Sequence, residues 1–210
     1  MMGNNDKFAV TICRQFCSGG LEIGKALAQR LDVKYYDKEL ITLAAKESGF
    51  TESTFEKADE VAANSFLYSV VMGGYPVNSL FSPTSNMVTN DSLFTIQSKI
   101  IKDISEKESC VIIGRCSDYI LREHPRVLRI FLRADMEDRI ERFKNTYDAS
   151  KEKNLEQTMI KADKKRSNYY GYYTGNEWDN INNYDLVINT SKFSVDRVVD
   201  HIVECLNDIK

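Results

Sequence analysis

The sequence predicts an α/β fold built on a parallel sheet, and three observations carry that reading. Short apolar, partly β-branched runs alternate with longer segments of helical periodicity, the pattern of strand–helix–strand crossovers. The run Cys110-Val111-Ile112-Ile113-Gly114 shows no polar alternation, as expected of a strand buried on both faces. A loop containing Ser18-Gly19-Gly20 separates the first apolar run from the first helix-like segment, the position at which open α/β sheets bind ligands.

In chain order, residues 8–13 read as a buried strand. Ser18-Gly19-Gly20 follows, and then Leu21, Ile23, Leu27, Ala28 and Leu31 recur at helical spacing. Residues 33–36 are a second strand. Residues 38–48 form a helix with Leu40, Ile41, Leu43, Ala44 and Ala45 inward, stopped by Gly49. Residues 110–114, 127–132 and 185–189 are the third, fourth and fifth strands. A charged helix spans 136–147, and a closing helix spans 195–209 with Val195, Val198, Val199, Ile202, Val203 and Leu206 inward. Two segments break the rhythm. Residues 51–105 carry no strand signal but many large apolar residues between Phe66 and Phe94, and read as a helical insert. That insert either contributes to a homodimer or closes over a bound acceptor. Residues 148–180 are polar and rich in Lys, Asn and Tyr. They read either as a basic lid or as a solvated helix followed by an aromatic loop.

The chain has 210 residues, enough for one globular domain, and 42% of them are hydrophobic, enough for a full core. A net charge of −3 argues against nucleic acid as a partner. No apolar run approaches the ~20 residues needed to span a bilayer, so no membrane partner is expected. The first residues lack the apolar stretch of a signal peptide, and a cytoplasmic location is expected. Five cysteines, Cys13, Cys17, Cys110, Cys116 and Cys205, cannot all pair within one chain. Their scatter fits reduced thiols, and no spacing suits zinc. His124 and His201 have no nucleophile near them in sequence, so no hydrolase triad is expected.

The glycine loop carries the chemical expectation. Gly19 and Gly20 allow backbone N–H groups to converge on an anion, and a helix starting there points its positive end at the same place. A phosphate at this loop is therefore expected, with an ordinary strand-to-helix turn as the alternative. Arg115 directly follows a buried strand and Asp37 ends another; both stand where ligands bind in such sheets, although Asp37 is equally placed to cap the next helix.

Here the chain resembles a known family. The loop Cys13-Arg14-Gln15-Phe16-Cys17-Ser18-Gly19-Gly20-Leu21-Glu22-Ile23-Gly24, the strand end Tyr36-Asp37-Lys38-Glu39, the motif Gly114-Arg115-Cys116, the helix around Asp138-Arg139-Ile140-Glu141-Arg142 and the terminal Tyr184-Asp185-Leu186-Val187-Ile188-Asn189-Thr190 are similar to those of cytidylate kinase, and more closely to the bacterial cytidylate-kinase-like family. The resemblance covers about residues 8–208. It implies a three-layer, five-stranded parallel sheet of P-loop NTPase, nucleoside-monophosphate-kinase-like topology, a single kinase-like domain over 1–210 with an acceptor-binding insert near 51–105 and a lid near 148–180. It implies transfer of a γ-phosphoryl group from ATP, with Mg2+, to a nucleoside monophosphate (CMP-like) or other small acceptor. The residues it marks for the nucleotide are Gln15, Ser18, Gly19, Gly20, Leu21 and Glu22. It marks Asp37, Lys38, Arg115 and Asp163 for the acceptor, and Arg139, Arg142 and Arg166 for transition-state charge; Arg14, at the strand end beside the loop, is a further catalytic candidate by its position.

The chain also departs from the ordinary pattern. Gly20 stands where the phosphate-loop lysine belongs, and Glu22 stands on the magnesium-binding Ser/Thr. Glu22 is then either a carboxylate ligand for the metal or a helix N-terminal charge. Ile113 and Cys116 replace aspartates. The missing loop charge must come from Arg14 or from the lid arginines, and Arg is not equivalent to Lys. Two alternatives follow: a nucleotide-binding protein with impaired catalysis, or an oligomeric interaction protein using the apolar insert.

Overall fold

The computed structural model describes residues 7–37 and 90–209. The helix expected over 38–48, Lys38 itself, and the insert up to residue 89 lie outside the described residues.

Among the described residues, five strands form one all-parallel sheet: β1 (Ala9–Arg14), β2 (Lys34–Tyr36), β3 (Cys110–Ile113), β4 (Val127–Arg133) and β5 (Leu186–Asn189), in the order β2-β3-β1-β4-β5. β1 is central. Val10 pairs with Val111 on one side and Leu128 on the other. Because successive side chains leave a strand on opposite faces, each central strand feeds two cores. Val10, Ile12, Val111, Ile113, Leu128, Ile130 and Leu132 pack with Ile23 and Leu27 of α1 (Gly20–Leu31), and with Val198, Val199 and Ile202 of the closing helix (Val195–Asn207). Ala9, Cys13, Cys110, Ile112 and Phe131 face the other layer. That layer contains α2 (Asn90–Lys107), the short α3 (Ser117–Ile120) and α5 (Leu155–Thr174). α4 (Met136–Thr146) follows β4, and the closing helix is α6. The fold is the three-layer α/β architecture that the sequence predicts.

Two segments differ from the sequence reading. α2 places Ile100, Ile101 and Ile104 in the core. The last part of the expected insert is therefore a flanking helix of the sheet. In the segment expected to be a lid, Asn154 caps α5 by accepting a hydrogen bond from Gln157 N–H at 3.1 Å, and Gly175, at φ 71°, ends it. The tyrosine run lies on this helix and not in a loop. Tyr173 stacks on Phe94 of α2 with centroids 4.1 Å apart, and Tyr169 hydroxyl donates to Gln97 Oε1 at 3.2 Å. Among the described residues, no helix is long and apolar enough to cross a membrane.

Candidate functional site

The loop joining β1 to α1 runs along the C-terminal edge of the sheet. Cys17 (φ 58°) and Gly19 (φ 81°) take left-handed conformations, which bend the chain into the start of the helix. Ile23 N–H is the first intrahelical donor, to the Gly19 carbonyl at 3.0 Å. The N–H groups of Gly20, Leu21 and Glu22 precede it, so the helix itself leaves them without acceptors. They stand at the positive end of the helix dipole, where an anion would be favoured.

Most polar side chains around this loop hold its shape. Ser18 is 1% exposed, and its hydroxyl donates to the Gln15 carbonyl at 2.9 Å. Expected to bind nucleotide, Ser18 instead closes the turn. Thr190, after β5, donates its hydroxyl to the Ser18 carbonyl at 2.8 Å. Gln15 Oε1 accepts Ala134 N–H at 3.1 Å, tying the loop to the end of β4. Phe16 is clamped on both sides of its peptide. Asp163 Oδ1 accepts its N–H at 2.7 Å, and Arg139 Nε donates to its carbonyl at 2.8 Å. Arg139 and Asp163 close the clamp with a 2.5 Å ion pair. The sequence reading gave Arg139 a catalytic place and Asp163 an acceptor-binding one. In the structure each spends its charge on the other, and Arg139 is only 3% exposed.

Two cavities open on the loop. One, of about 250 Å³, lies over the ends of β1 and β3 and is lined by Arg14, Asp37, Gly114, Arg115, Cys116, Lys165, Arg166, Tyr169, Tyr170 and Trp178. Among the described residues, four cations face one carboxylate there, with an aromatic wall from α5 and beyond. The other, of about 430 Å³, is bounded by the loop and α4. Gly19, Gly20, Leu21 and Glu22 line it opposite Arg142, Asn145, Thr146 and Tyr147. Leu21 and Tyr147, two of the large apolar side chains left exposed, both line this cavity. Arg142 reaches over Gly19, with its Nη1 3.5 Å from the Cys17 carbonyl.

Arg14 and Arg166 line both cavities. Arg166 Nη1 donates to the Arg14 carbonyl at 2.9 Å, and its guanidinium lies 5.4 Å from the Phe16 ring centroid. Burial lowers the Arg166 pKa to about 10, with the neighbouring Arg14 charge adding to the effect. Burial also lowers that of Arg14, which Asp37, 4.0 Å away, partly offsets. Two desolvated like charges held together cost free energy that a bound anion would relieve. Of the four arginines expected to converge, Arg115 and Arg166 share the first cavity and Arg142 and Arg166 the second. Arg139 joins neither.

The sequence reading missed Asp118, on α3, 2% exposed behind the first cavity. Its carboxylate accepts the Tyr170 hydroxyl at 2.7 Å and the Cys13 thiol at 3.3 Å. Burial raises its pKa, outweighing those hydrogen bonds, and burial followed by Asp118 pushes the Cys13 thiol well up. Cys13 is therefore an inert core thiol and not a nucleophile. Lys165, Tyr169 and Trp178 also line the cavity. The sequence places them in the polar, Lys- and Tyr-rich segment 148–180, where the tyrosine run reads either as a surface that stacks a base or as packing.

The sequence matches the profile of the cytidylate kinase-like family over residues 9–192. Among solved structures, the chain is similar to an uncharacterized protein from Eubacterium ventriosum ATCC 27560, at 25% identity and TM-score 0.66, over 96% of this chain and 99% of that one. It is similar in fold to shikimate kinase from Bacteroides thetaiotaomicron, at 13% identity and TM-score 0.52, over 95% and 98%. It is likewise similar to shikimate kinase from Acinetobacter baumannii in complex with shikimate, at 12% identity and TM-score 0.52, over 97% and 95%. A search of curated proteins finds no match. The five-stranded parallel sheet with its flanking helices is shared in fold with these shikimate kinases.

Proposed function

The chain belongs to the cytidylate kinase-like family, and from that premise we propose that it transfers the γ-phosphoryl group of ATP to a CMP-like nucleoside monophosphate or another small anionic acceptor. Family membership supports a kinase-like function on a nucleotide or small molecule. The observation that carries the finer reading is the sharing of Arg14 and Arg166 by two adjoining cavities. In phosphoryl transfer, negative charge spreads over the equatorial oxygens of the moving group, and catalysis is positioning plus charge neutralisation. A donor in the loop cavity and an acceptor in the cationic cavity would meet at these two guanidinium groups. The donor base rests against Leu21 and Tyr147, and its phosphates take the N–H groups at the start of α1 and Arg142. The acceptor anion takes Arg115 and Lys165, against the Tyr169 and Trp178 side.

Glu22 lines the loop cavity, and its carboxylate suits a hard cation, so it would hold phosphate-bound Mg2+ there. The metal would withdraw charge from the oligophosphate. A second reading, nucleotide binding without transfer, is favoured by one observation: Gly20 replaces the loop lysine. Turnover separates the two. With ATP and Mg2+ present, one member of a nucleoside monophosphate panel should raise ADP release above the ATP-only rate. Arg115→Ala should then raise the acceptor KM about tenfold or more with a smaller effect on kcat. Saturable ATP binding with no acceptor-dependent ADP across monophosphates and small anionic acceptors would leave only the second reading.

A further inference from the structure

The usual phosphate loop reads Gly-x-x-x-x-Gly-Lys, with a glycine first and a lysine seventh. With Gly19 in the sixth place, the first residue here is Arg14 and the seventh is Gly20. The cation and the glycine have traded ends of the loop. The packing shows the trade to be spatial as well. A Cβ built on Gly20 would lie 2.8 Å from Arg14 Cγ and 3.0 Å from Arg14 Cβ, so the arginine stem lies against the place where a seventh-position side chain would begin. Such separations are closer than carbon contacts allow. Gly114, after β3, completes the room. It has φ 70°, and a Cβ there would collide with Arg14 Nη1.

We propose that Arg14 and Gly20 are a reciprocal exchange: the cation for the donor's oligophosphate is carried on the end of β1 instead of the start of α1, and Gly20 and Gly114 are kept small to admit it. The proposal rests on the phosphotransfer reading for its ligand, a nucleoside triphosphate, and explains how the loop lacks its lysine without lacking a cation. It has a chemical consequence. A lysine on the helix presents a point charge from the helix side, whereas Arg14 presents a planar fork between the two cavities, able to bridge oxygens of donor and acceptor. Asp37 at 4.0 Å steadies that fork.

The exchange predicts a particular pattern among three variants. Arg14→Gly should weaken binding of ATP and of inorganic tripolyphosphate by roughly 10- to 100-fold, the scale of a lost charge-assisted hydrogen bond. Gly20→Lys alone should also weaken both, because its side chain meets the Arg14 stem. The double variant Arg14→Gly, Gly20→Lys restores the usual order, and should recover most of the affinity lost by Arg14→Gly. Calorimetric titration reads all four proteins, and thermal melts confirm that each is folded. Unchanged affinity in Arg14→Gly, or a folded double variant binding no better than Arg14→Gly, overturns the exchange. Absence of tripolyphosphate binding by the wild type overturns it too. Failure of the phosphotransfer reading looks different: the wild type binds tripolyphosphate, the variants follow the pattern, and no acceptor is phosphorylated.

Discussion

Asp163 and Arg142 both face the loop, but among the described residues only Asp163 has an ion-pair partner. Asp163 neutralises Arg139 and accepts Phe16 N–H. Asp163→Ala would leave a nearly buried guanidinium uncompensated, and should cost about 3 kcal/mol of stability in urea unfolding. Arg142 lies over Gly19 and is hydrogen-bonded to the loop by one long contact to the Cys17 carbonyl. Arg142→Ala should change stability by about 0.5 kcal/mol or less while weakening ATP about tenfold. Equal destabilisation by the two would refute this division between brace and ligand. The division also marks how far sequence reasoning reaches at this scale. Gly19 and Gly20 were legible, because only a few residue types permit a convergent backbone beside a helix start. The clamp was not. Phe16, Arg139 and Asp163 come together from distant parts of the chain, and an arginine that binds phosphate carries the same letter as one that braces a peptide.

At the scale of elements, α5 joins the site to the core through Tyr170 and Asp118. Arg166 lies one helical turn before Tyr170, so this contact sets where the helix presents its cations. Because Asp118 has its folded-state pKa raised above 3.8, its contribution to stability is fully present below that value and lost as pH rises through the raised one. Asp118→Asn keeps an acceptor for Tyr170 and removes the titration. Unfolding free energies measured from below pH 3.8 upward should therefore move in favour of the variant as pH rises. A constant difference between the two proteins would contradict the raised pKa. The five strands were legible as apolar runs, since burial on both faces leaves little room for polar residues. α5 was harder to see, because its buried side is made of Met159, Asn168 and Tyr170 rather than an aliphatic stripe. α2 was absorbed into the expected insert because no strand signal precedes it to mark the crossover.

At the scale of the whole molecule, the strand order β2-β3-β1-β4-β5 brings the ends of β1, β2 and β3 to one edge. The chain contributes to that edge from four separate stretches: Arg14, Asp37, Arg115 and the α5 pair Lys165 and Arg166. Their meeting depends on topology and not on sequence distance, and it underlies the central proposal, that donor and acceptor phosphates meet between Arg14 and Arg166. A crystal structure with a bisubstrate analogue, adenosine joined through an oligophosphate to a nucleoside, tests this most directly. The account predicts the oligophosphate threaded between Arg14 and Arg166, with one nucleoside against Leu21 and Tyr147 and the other in the cavity of Arg115 and Lys165. An analogue bound with its phosphates away from both guanidinium groups, or with both nucleosides on one side of them, would contradict it.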